Sequence, residues 1–242
     1  MRICISRKRT GIRVIIKGVI MENILAPSIL SANFADMASD FRILEKGGVK
    51  WLHVDVMDGL FVPNISLGLT VISSIRKATD MFFDVHLMIV DPIRYIDEFA
   101  KAGADLISFH LEATEDADAV IEKIRAAGKK VGIVIKPKTP TEALLPYVEK
   151  VDDIMIMSVE PGFGGQSYIP GSTERIAEVK AMAMEKNPEC LIEVDGGVTF
   201  ANIPEITGAG ANVLVAGSAV YKGDIAANLL KFKEVFPGCL AE

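Results

Sequence analysis

From residue 24 onward, short apolar runs rich in Val, Ile and Leu alternate with longer stretches in which apolar residues recur every three or four positions. The first pattern is typical of a buried strand and the second of an amphipathic helix. Eight strands are predicted in this way, over residues 24–30, 51–56, 82–88, 105–110, 131–136, 154–159, 191–196 and 213–218. Strands that alternate with helices form parallel sheets, so the pattern indicates an α/β protein.

Two of the predicted helices have recognisable ends. Asp91 and Pro92 are a suitable N-cap and first-turn pair for a helix whose apolar face carries Ile93, Ile96 and Phe99. A second helix ends at Gly128, and its apolar stripe consists of Ala117, Val120, Ile121 and Ile124. Both ends agree with the strand–helix alternation.

The number and spacing of these units predict the fold. Eight strand–helix pairs within a 242-residue chain indicate a single-domain (β/α)8 TIM barrel over residues 21–242. An open, doubly wound sheet is the alternative, but the glycine fingerprint of dinucleotide-binding folds is missing after the first strand. In a barrel, the C-terminal ends of all strands meet at one face, where side chains distant in sequence come together.

Residues 1–20 differ from the rest of the chain because they contain six basic residues and no acidic one. The segment lacks the compact apolar stretch of a secretory signal. We expect it to be an upstream translation artefact, with Met21 as the functional start. The alternative is an extra strand within residues 11–20.

Composition limits the classes of partner. Residues 21–242 hold 20 basic and 32 acidic residues, a balance of −12, which disfavours nucleic acid. Charges interrupt every apolar run before it reaches membrane-spanning length, so no membrane partner is expected. Three widely spaced cysteines indicate reduced thiols and a cytoplasmic protein.

Three strand ends share an unusual pattern of two ionisable residues separated by one valine. The pairs are His53 with Asp55, Asp84 with His86, and Glu193 with Asp195. Side chains two residues apart on a strand point to the same face, so each pair faces one way. Two of the three histidines of the chain lie in these pairs, which indicates a metal site.

We predict that the ligands of this metal site are His53, Asp55, His86 and Asp195. Two imidazoles and two carboxylates suit one divalent ion, first Zn²⁺, with Fe²⁺, Mn²⁺ or Co²⁺ as competitors. Asp84 and Glu193 could orient these ligands from behind. The alternative is a set of buried histidines hydrogen-bonded to acids. The third histidine, His110, is interpreted as a structural or pocket-wall group that could pair with Glu112.

Glycine-rich loops follow the last three predicted strands. They contain residues 161–166, the pair Gly196 and Gly197, and Gly217 with Ser218. Glycine lets backbone N–H groups approach an anion closely, and barrel enzymes often bind phosphate with their late loops. No lysine or arginine lies in these motifs, so a phosphate site here would depend on backbone dipoles.

A metal, two carboxylates and a phosphate cradle together suggest chemistry on a small sugar phosphate. Asp55 and Asp195 come from well-separated strands, so they could serve opposite faces of a substrate as the two bases of an epimerase. A metallohydrolase is the nearest rival, although the His-x-His pair typical of its bimetallic forms is missing from the first strand. A non-catalytic sugar-phosphate-binding barrel is a second rival, but binding alone needs no opposed bases.

Six motifs resemble the ribulose-phosphate 3-epimerase family, in that family's order from residue 24 to about residue 236. They are APSILSANF, HVDVMDGLFVPN, DVHLM, EPGFGGQ, EVDGGV and VAGSAVY. The resemblance implies a TIM barrel that interconverts D-ribulose 5-phosphate and D-xylulose 5-phosphate in the pentose phosphate pathway. It leaves open a six-carbon ketose phosphate such as allulose 6-phosphate. We also expect a homo-oligomer.

The resemblance also implies roles for individual residues. Asp55 would be the proton acceptor and Asp195 the proton donor, while Ser28 and His86 would contact substrate. The groups near the phosphate would be Gly162, Phe163, Gly164, Gly165, Gly196, Gly197, Gly217 and Ser218. The pocket wall would contain Met57, Met88 and Met157. Asn33 and Lys136 depart from the residues that many members carry, but neither is a predicted ligand.

Overall fold

The computed structural model describes residues 4–6, 13–16, 19–20 and 22–241. Three short strands near the N-terminus, β1 (Cys4–Ser6), β2 (Arg13–Ile16) and β3 (Val19–Ile20), form an antiparallel sheet of their own. The alternative of an extra strand within residues 11–20 therefore agrees with β2 and β3, although residues 11, 12, 17 and 18 lie outside the described residues. Whether the segment is translated stays a prediction.

The remaining eight strands form one parallel sheet. They are β4 (Ile24–Pro27), β5 (Trp51–Met57), β6 (Phe82–Met88), β7 (Leu106–His110), β8 (Lys130–Ile135), β9 (Asp153–Met157), β10 (Leu191–Asp195) and β11 (Val213–Ala216). Hydrogen bonds join them in the order β4-β11-β10-β9-β8-β7-β6-β5. A bridge between Ser28 and His53 brings the two edges together. The predicted TIM barrel is confirmed, and the open-sheet alternative is wrong.

Helices cover the outside of the barrel. They are α1 (Met37–Lys46), α2 (Leu69–Ile75), α3 (Ile96–Ala102), α4 (Ala117–Ala126), α5 (Ser172–Lys186), α6 (Ile203–Gly208), α7 (Ser218–Tyr221) and α8 (Ile225–Val235). Two short 3-10 helices, Thr141–Leu144 and Val148–Lys150, stand where the alternation predicts a helix between β8 and β9. Pro140 and Pro146 explain the difference, because proline interrupts helical hydrogen bonding. No described helix has the length and apolarity needed to cross a membrane.

Asp91 and Pro92 occupy the predicted N-cap and first-turn positions, but the first turn and the cap differ in form from the prediction. Asp91 precedes a 3-10 helix, Pro92–Tyr95, and its side chain makes no capping hydrogen bond. Its backbone adopts a left-handed conformation with φ of 51°, which aspartate tolerates better than most residues. The carboxylate pairs with Arg94 at 3.1 Å instead. The other predicted end is correct, because α4 is followed by Gly128 with φ of 72°.

Alternation along the strands decides which side chains enter the barrel. In β5, the odd-numbered residues His53 and Asp55 point inward, while Val54 and Val56 pack in the main hydrophobic core. The same alternation in β6 buries Val85 in that core. Polar side chains of these strands therefore point into the barrel interior, while the valines between them point outward and pack against the helices.

Deletion of residues 1–20 should leave the barrel intact. The three N-terminal strands bond to one another, whereas the barrel sheet begins at β4. We expect the free energy of unfolding to change by less than about 0.5 kcal/mol, the range of surface changes. Thermal denaturation and an activity assay of both proteins check this. A large loss of stability would show that the segment packs on the barrel.

Candidate active site

Strand register brings the predicted ligands together. In the β5–β6 pair, His53 lies opposite Asp84, and Asp55 lies opposite His86. Asp195 is the last residue of β10, and its side chain reaches the same region from another part of the ring. The alternation of polar and apolar residues and the parallel register therefore place four ionisable groups at the C-terminal end of the barrel.

The four predicted ligands form a single cluster. Oδ1 of Asp55 lies 3.2 Å from Nε2 of His53 and 3.3 Å from Nδ1 of His86. The same Nδ1 lies 3.8 Å from Oδ2 of Asp195. The hydroxyl of Ser28 donates to Oδ2 of Asp55 at 2.7 Å, which fixes the orientation of that carboxylate.

This cluster fits a metal ion by its geometry and its donor set. One ligand atom from each of the four residues lies within 4.8 Å of all the others. Two imidazole nitrogens and two carboxylates are the donors that a borderline divalent cation prefers. A second cluster, composed of His53, Asp84 and Glu193, meets the same distance limit but shares His53 with the first. The first cluster is the one that reaches the cavity.

A second layer of acids lies behind His53. Nδ1 of His53 is 2.5 Å from Oδ2 of Asp84 and 3.6 Å from Oε1 of Glu193. A proton on Nδ1 is donated to Asp84, which leaves Nε2 directed toward Asp55. Asp84 and Glu193 therefore lie where the sequence pattern placed them.

Asp153, a third buried acid in this layer, was missed by the sequence analysis. It is fully buried at the start of β9. Burial and the negative charges of Glu193 and Asp84 raise the pKa of Asp153 well above its usual range. Burial and the charge of Asp84 also raise the pKa of Glu193 to about 8. These carboxyls hold protons more tightly than exposed carboxyls do.

The two carboxyl groups nearest the cavity differ in proton affinity. Burial and the negative charge of Asp55 raise the pKa of Asp195 to about 6. Burial also acts to raise the pKa of Asp55, but the charge of His53 and hydrogen bonds from His53 and His86 lower it well below its usual range. At neutral pH Asp55 is ionised, whereas Asp195 takes up a proton more readily. Such divergence is typical of acid–base pairs.

The cluster lies at the floor of a cavity of about 430 Å³. Asp55 and Asp195 line the cavity, while the fully buried His53 and His86 lie behind them. His86, a predicted substrate contact, is therefore not among the described lining residues. The lining also contains all the other predicted substrate and wall residues, which are Ser28, Met57, Met88, Met157, Gly162, Phe163, Gly164, Gly165, Gly196, Gly197, Gly217 and Ser218. Among the described lining residues there is no lysine or arginine.

Glycine is required where the loops at the cavity mouth meet. Gly197 has φ of 63°, and a Cβ there would lie 2.4 Å from the backbone nitrogen of Tyr168. At Gly217, a Cβ would lie 2.6 Å from the hydroxyl of Ser31. The loop after β10 therefore touches the loop after β9, backbone against backbone, and only glycine permits this approach.

Three amide side chains that hold these loops were not predicted as site residues. Asn64 donates to the carbonyl of Gly162 at 2.8 Å, and Asn202 donates to the carbonyl of Gly197 at 2.9 Å. Gln166 donates to the carbonyl of Phe163 at 2.8 Å. Asn64 and Gln166 lie inside the HVDVMDGLFVPN and EPGFGGQ motifs, but the sequence alone does not reveal which carbonyl groups they bind.

His110 lies away from the cavity lining, so the pocket-wall interpretation is wrong and the structural one holds. It is fully buried, and its Nε2 lies 2.9 Å from Nε2 of His86. Its Nδ1 lies 3.4 Å from Oε2 of Glu112, the predicted partner. Burial lowers the pKa of His110 to about 4, so the imidazole is neutral at neutral pH.

Comparison with known proteins assigns the chain to a family. A model described as the ribulose-phosphate 3 epimerase family matches residues 24–221. The ribulose-phosphate 3-epimerase of Bacillus subtilis (strain 168) is 49% identical over 198 residues, covering 81% of this chain and 91% of that protein. The chloroplastic ribulose-5-phosphate-3-epimerase of Arabidopsis thaliana is 48% identical over 200 residues, covering 82% of this chain and 71% of that protein.

Solved structures with lower sequence identity share the barrel fold. KGPDC from Streptococcus mutans superposes with a TM-score of 0.66 at 13% identity, covering 89% of this chain and 97% of that chain. A 3-hexulose-6-phosphate synthase superposes with a TM-score of 0.60 at 21% identity, covering 89% of this chain and 99% of that chain. At these identities the likeness concerns the fold alone.

Proposed function

This chain belongs to the ribulose-phosphate 3 epimerase family, and from that membership we propose that it interconverts D-ribulose 5-phosphate and D-xylulose 5-phosphate at carbon 3. The observation that carries this proposal is the meeting of Asp55 and Asp195 at the cavity floor. They come from β5 and β10 and flank His86, at 3.3 Å and 3.8 Å from its Nδ1. Inversion at one carbon requires proton removal on one face and proton delivery on the other, which two separate carboxyls can supply.

The two aspartates exchange roles with the direction of reaction. Toward xylulose 5-phosphate, Asp55 removes the proton from carbon 3, and Asp195 delivers one to the opposite face. In reverse, Asp195 is the base and Asp55 the acid. Ser28 holds Oδ2 of Asp55 by a 2.7 Å hydrogen bond, so the carboxylate keeps a fixed orientation toward the substrate.

His53, Asp55, His86 and Asp195 would hold one divalent ion, which we propose to be Zn²⁺, with Fe²⁺, Mn²⁺ and Co²⁺ as alternatives. When bound, the ion supplies positive charge that stabilises the oxyanion produced by proton removal. Asp84 accepts the Nδ1 proton of His53, so the unprotonated Nε2 of His53 is directed toward the metal site.

The glycine loops at the mouth are suited to the phosphate end of the substrate. Gly164, Gly165, Gly197 and Gly217 line the cavity. Backbone N–H groups in such loops can surround an anion without a lysine or arginine. The reacting carbon would then lie over the aspartates, and the phosphate would lie at the loops.

Replacing Gly197 by alanine should weaken substrate binding more than catalysis. The new Cβ would lie 2.4 Å from the Tyr168 backbone, so one of the two loops must shift. We expect KM to rise by about tenfold or more, which corresponds to a loss of about 1.4 kcal/mol in the free energy of substrate binding. Steady-state kinetics check this. Gly208→Ala is the matched control, because a Cβ there meets nothing within 4 Å. An unchanged KM in Gly197→Ala would contradict the phosphate assignment.

A comparison of two substrates tests the proposed activity. Metal-loaded protein is assayed with D-ribulose 5-phosphate and with the six-carbon allulose 6-phosphate. We expect kcat/KM to favour the pentose by at least about tenfold, a usual value for a one-carbon difference in a fitted pocket. A higher kcat/KM for the hexose would show that the six-carbon sugar phosphate is the substrate. If the protein converts neither compound, the proposed activity is wrong.

We propose a place in the pentose phosphate pathway, because that route uses both proposed pentoses. The buried free thiols of Cys190 and Cys239 suit a reducing cytoplasm. A homo-oligomer is proposed from Leu60 and Ile65, which lie in the loop between β5 and α2 with exposures of 80% and 76%, and light scattering checks it.

A further inference from the structure

A chain of three side chains leads away from the cluster through His86. Nδ1 of His86 faces Asp55 and Asp195, while its other ring nitrogen, Nε2, lies 2.9 Å from Nε2 of His110. On the far side of His110, Nδ1 lies 3.4 Å from Oε2 of Glu112. Both imidazoles are fully buried, so water does not compete for these nitrogens.

When a metal ion is bound by His86, hydrogen-bond chemistry determines where the protons of the two imidazoles lie. A metal ligand must present a lone pair, so Nδ1 of His86 is unprotonated and its proton lies on Nε2. That N–H donates to Nε2 of His110, which must then be an acceptor. The proton of His110 consequently lies on Nδ1, directed at the carboxylate of Glu112. Nδ1 of His110 has no well-formed hydrogen bond among the described residues, and Glu112 is the acceptor within reach.

Glu112 is held in place by the adjoining part of the barrel. Its Oε1 accepts from the backbone N–H of Lys136 at 2.8 Å and from the hydroxyl of Thr139. The other oxygen, Oε2, is the one near His110. The backbone of residue 136 makes this contact, so the departure at Lys136 from the residue common in the family leaves it intact.

Aromatic packing restrains the His110 ring. The ring of Phe61 lies 4.8 Å from it, and the ring of His86 lies 5.0 Å from it, measured between centroids. Rotation of His110 would require both neighbours to move, which a close-packed interior resists. His110 is therefore held in one orientation between Glu112 and His86, and it can restrain the orientation of the His86 ring.

We propose that His110 and Glu112 are positioning residues that hold the Nδ1 lone pair of His86 toward Asp55 and Asp195. The proposal deepens the function proposed above, since it concerns the same metal cluster. Neither residue touches the substrate; both act through His86. Groups of this kind commonly change metal affinity by about 10–100-fold.

Metal affinity tests the proposal without any sugar present. Dissociation constants for Zn²⁺ and Co²⁺ are measured by chelator competition in wild type, His110→Leu and His110→Gln. We expect His110→Leu to bind about 10–100-fold more weakly and to change the visible spectrum of bound Co²⁺. His110→Gln should recover much of the loss, because its amide oxygen can accept from His86. Ser108→Ala, on the same strand, is the control, because its buried hydroxyl has no hydrogen-bond partner among the described residues.

Two results would overturn the proposal. One is a folded His110→Leu protein with wild-type affinity for both ions and an unchanged Co²⁺ spectrum. The other comes from Zn²⁺-loaded wild-type protein by ¹⁵N NMR of its histidines, if His110 carries its proton on Nε2 and therefore cannot accept from His86. The second measurement needs no variant to fold. Failure here would leave the epimerase assay unaffected, and failure of that assay would leave these affinities unaffected.

Discussion

Replacing Asp195 by asparagine should slow epimerisation by about 10²–10⁴-fold in both directions, the usual effect of losing a general acid–base group. Asparagine keeps the size of the side chain but neither takes up nor delivers a proton at neutral pH. Each aspartate is the base in one direction and the acid in the other, so the Asp55→Asn variant should be impaired in the same way. Rates are measured from ribulose 5-phosphate and from xylulose 5-phosphate.

Metal content must accompany these rates, because both aspartates are also proposed ligands. Elemental analysis of each variant separates loss of the ion from loss of proton transfer. Asp118→Asn is the control, since Asp118 is exposed and pairs with Lys150 on the outer surface. An Asp195→Asn enzyme that keeps its metal and near-normal turnover would contradict the assignment.

Removal of the metal should abolish turnover. Prolonged chelation leaves the cluster of His53, Asp55, His86 and Asp195 without the charge that stabilises the oxyanion, and Zn²⁺, Mn²⁺, Co²⁺ or Fe²⁺ should restore activity. His86→Ala should lose metal affinity and remain folded, because position 86 lies near the C-terminal end of β6. Circular dichroism and elemental analysis check both parts. Full activity in protein that contains no metal would contradict the account.

The sequence predicted the fold and most of the cluster for one physical reason. Polar residues separated by one valine on a buried strand must share a face, as His53 and Asp55 do. The barrel then brings their strand next to that of His86. Glycine-rich loops could likewise be identified, because few residues besides glycine permit the backbone approach seen at Gly197.

What the sequence did not reveal depends on contacts between distant residues. Asp153 follows another aspartate, a pattern typical of an exposed turn, and only barrel closure buries it. His110 and Glu112 are two residues apart at a strand end, like His53 and Asp55, yet His110 faces His86 and not the cavity. The pattern along a strand indicates on which face a side chain lies. Which residues then contact that side chain depends on the packing of the whole barrel.

The fate of the carbon 3 proton distinguishes two-base proton transfer from a single base that returns the same proton. Metal-loaded protein converts ribulose 5-phosphate in D₂O, and the product is examined by NMR before the reaction approaches equilibrium. We expect xylulose 5-phosphate with deuterium at carbon 3, because the aspartate that delivers the proton exchanges it with solvent beforehand. A product that retains the original hydrogen at carbon 3 would contradict two-base proton transfer by Asp55 and Asp195.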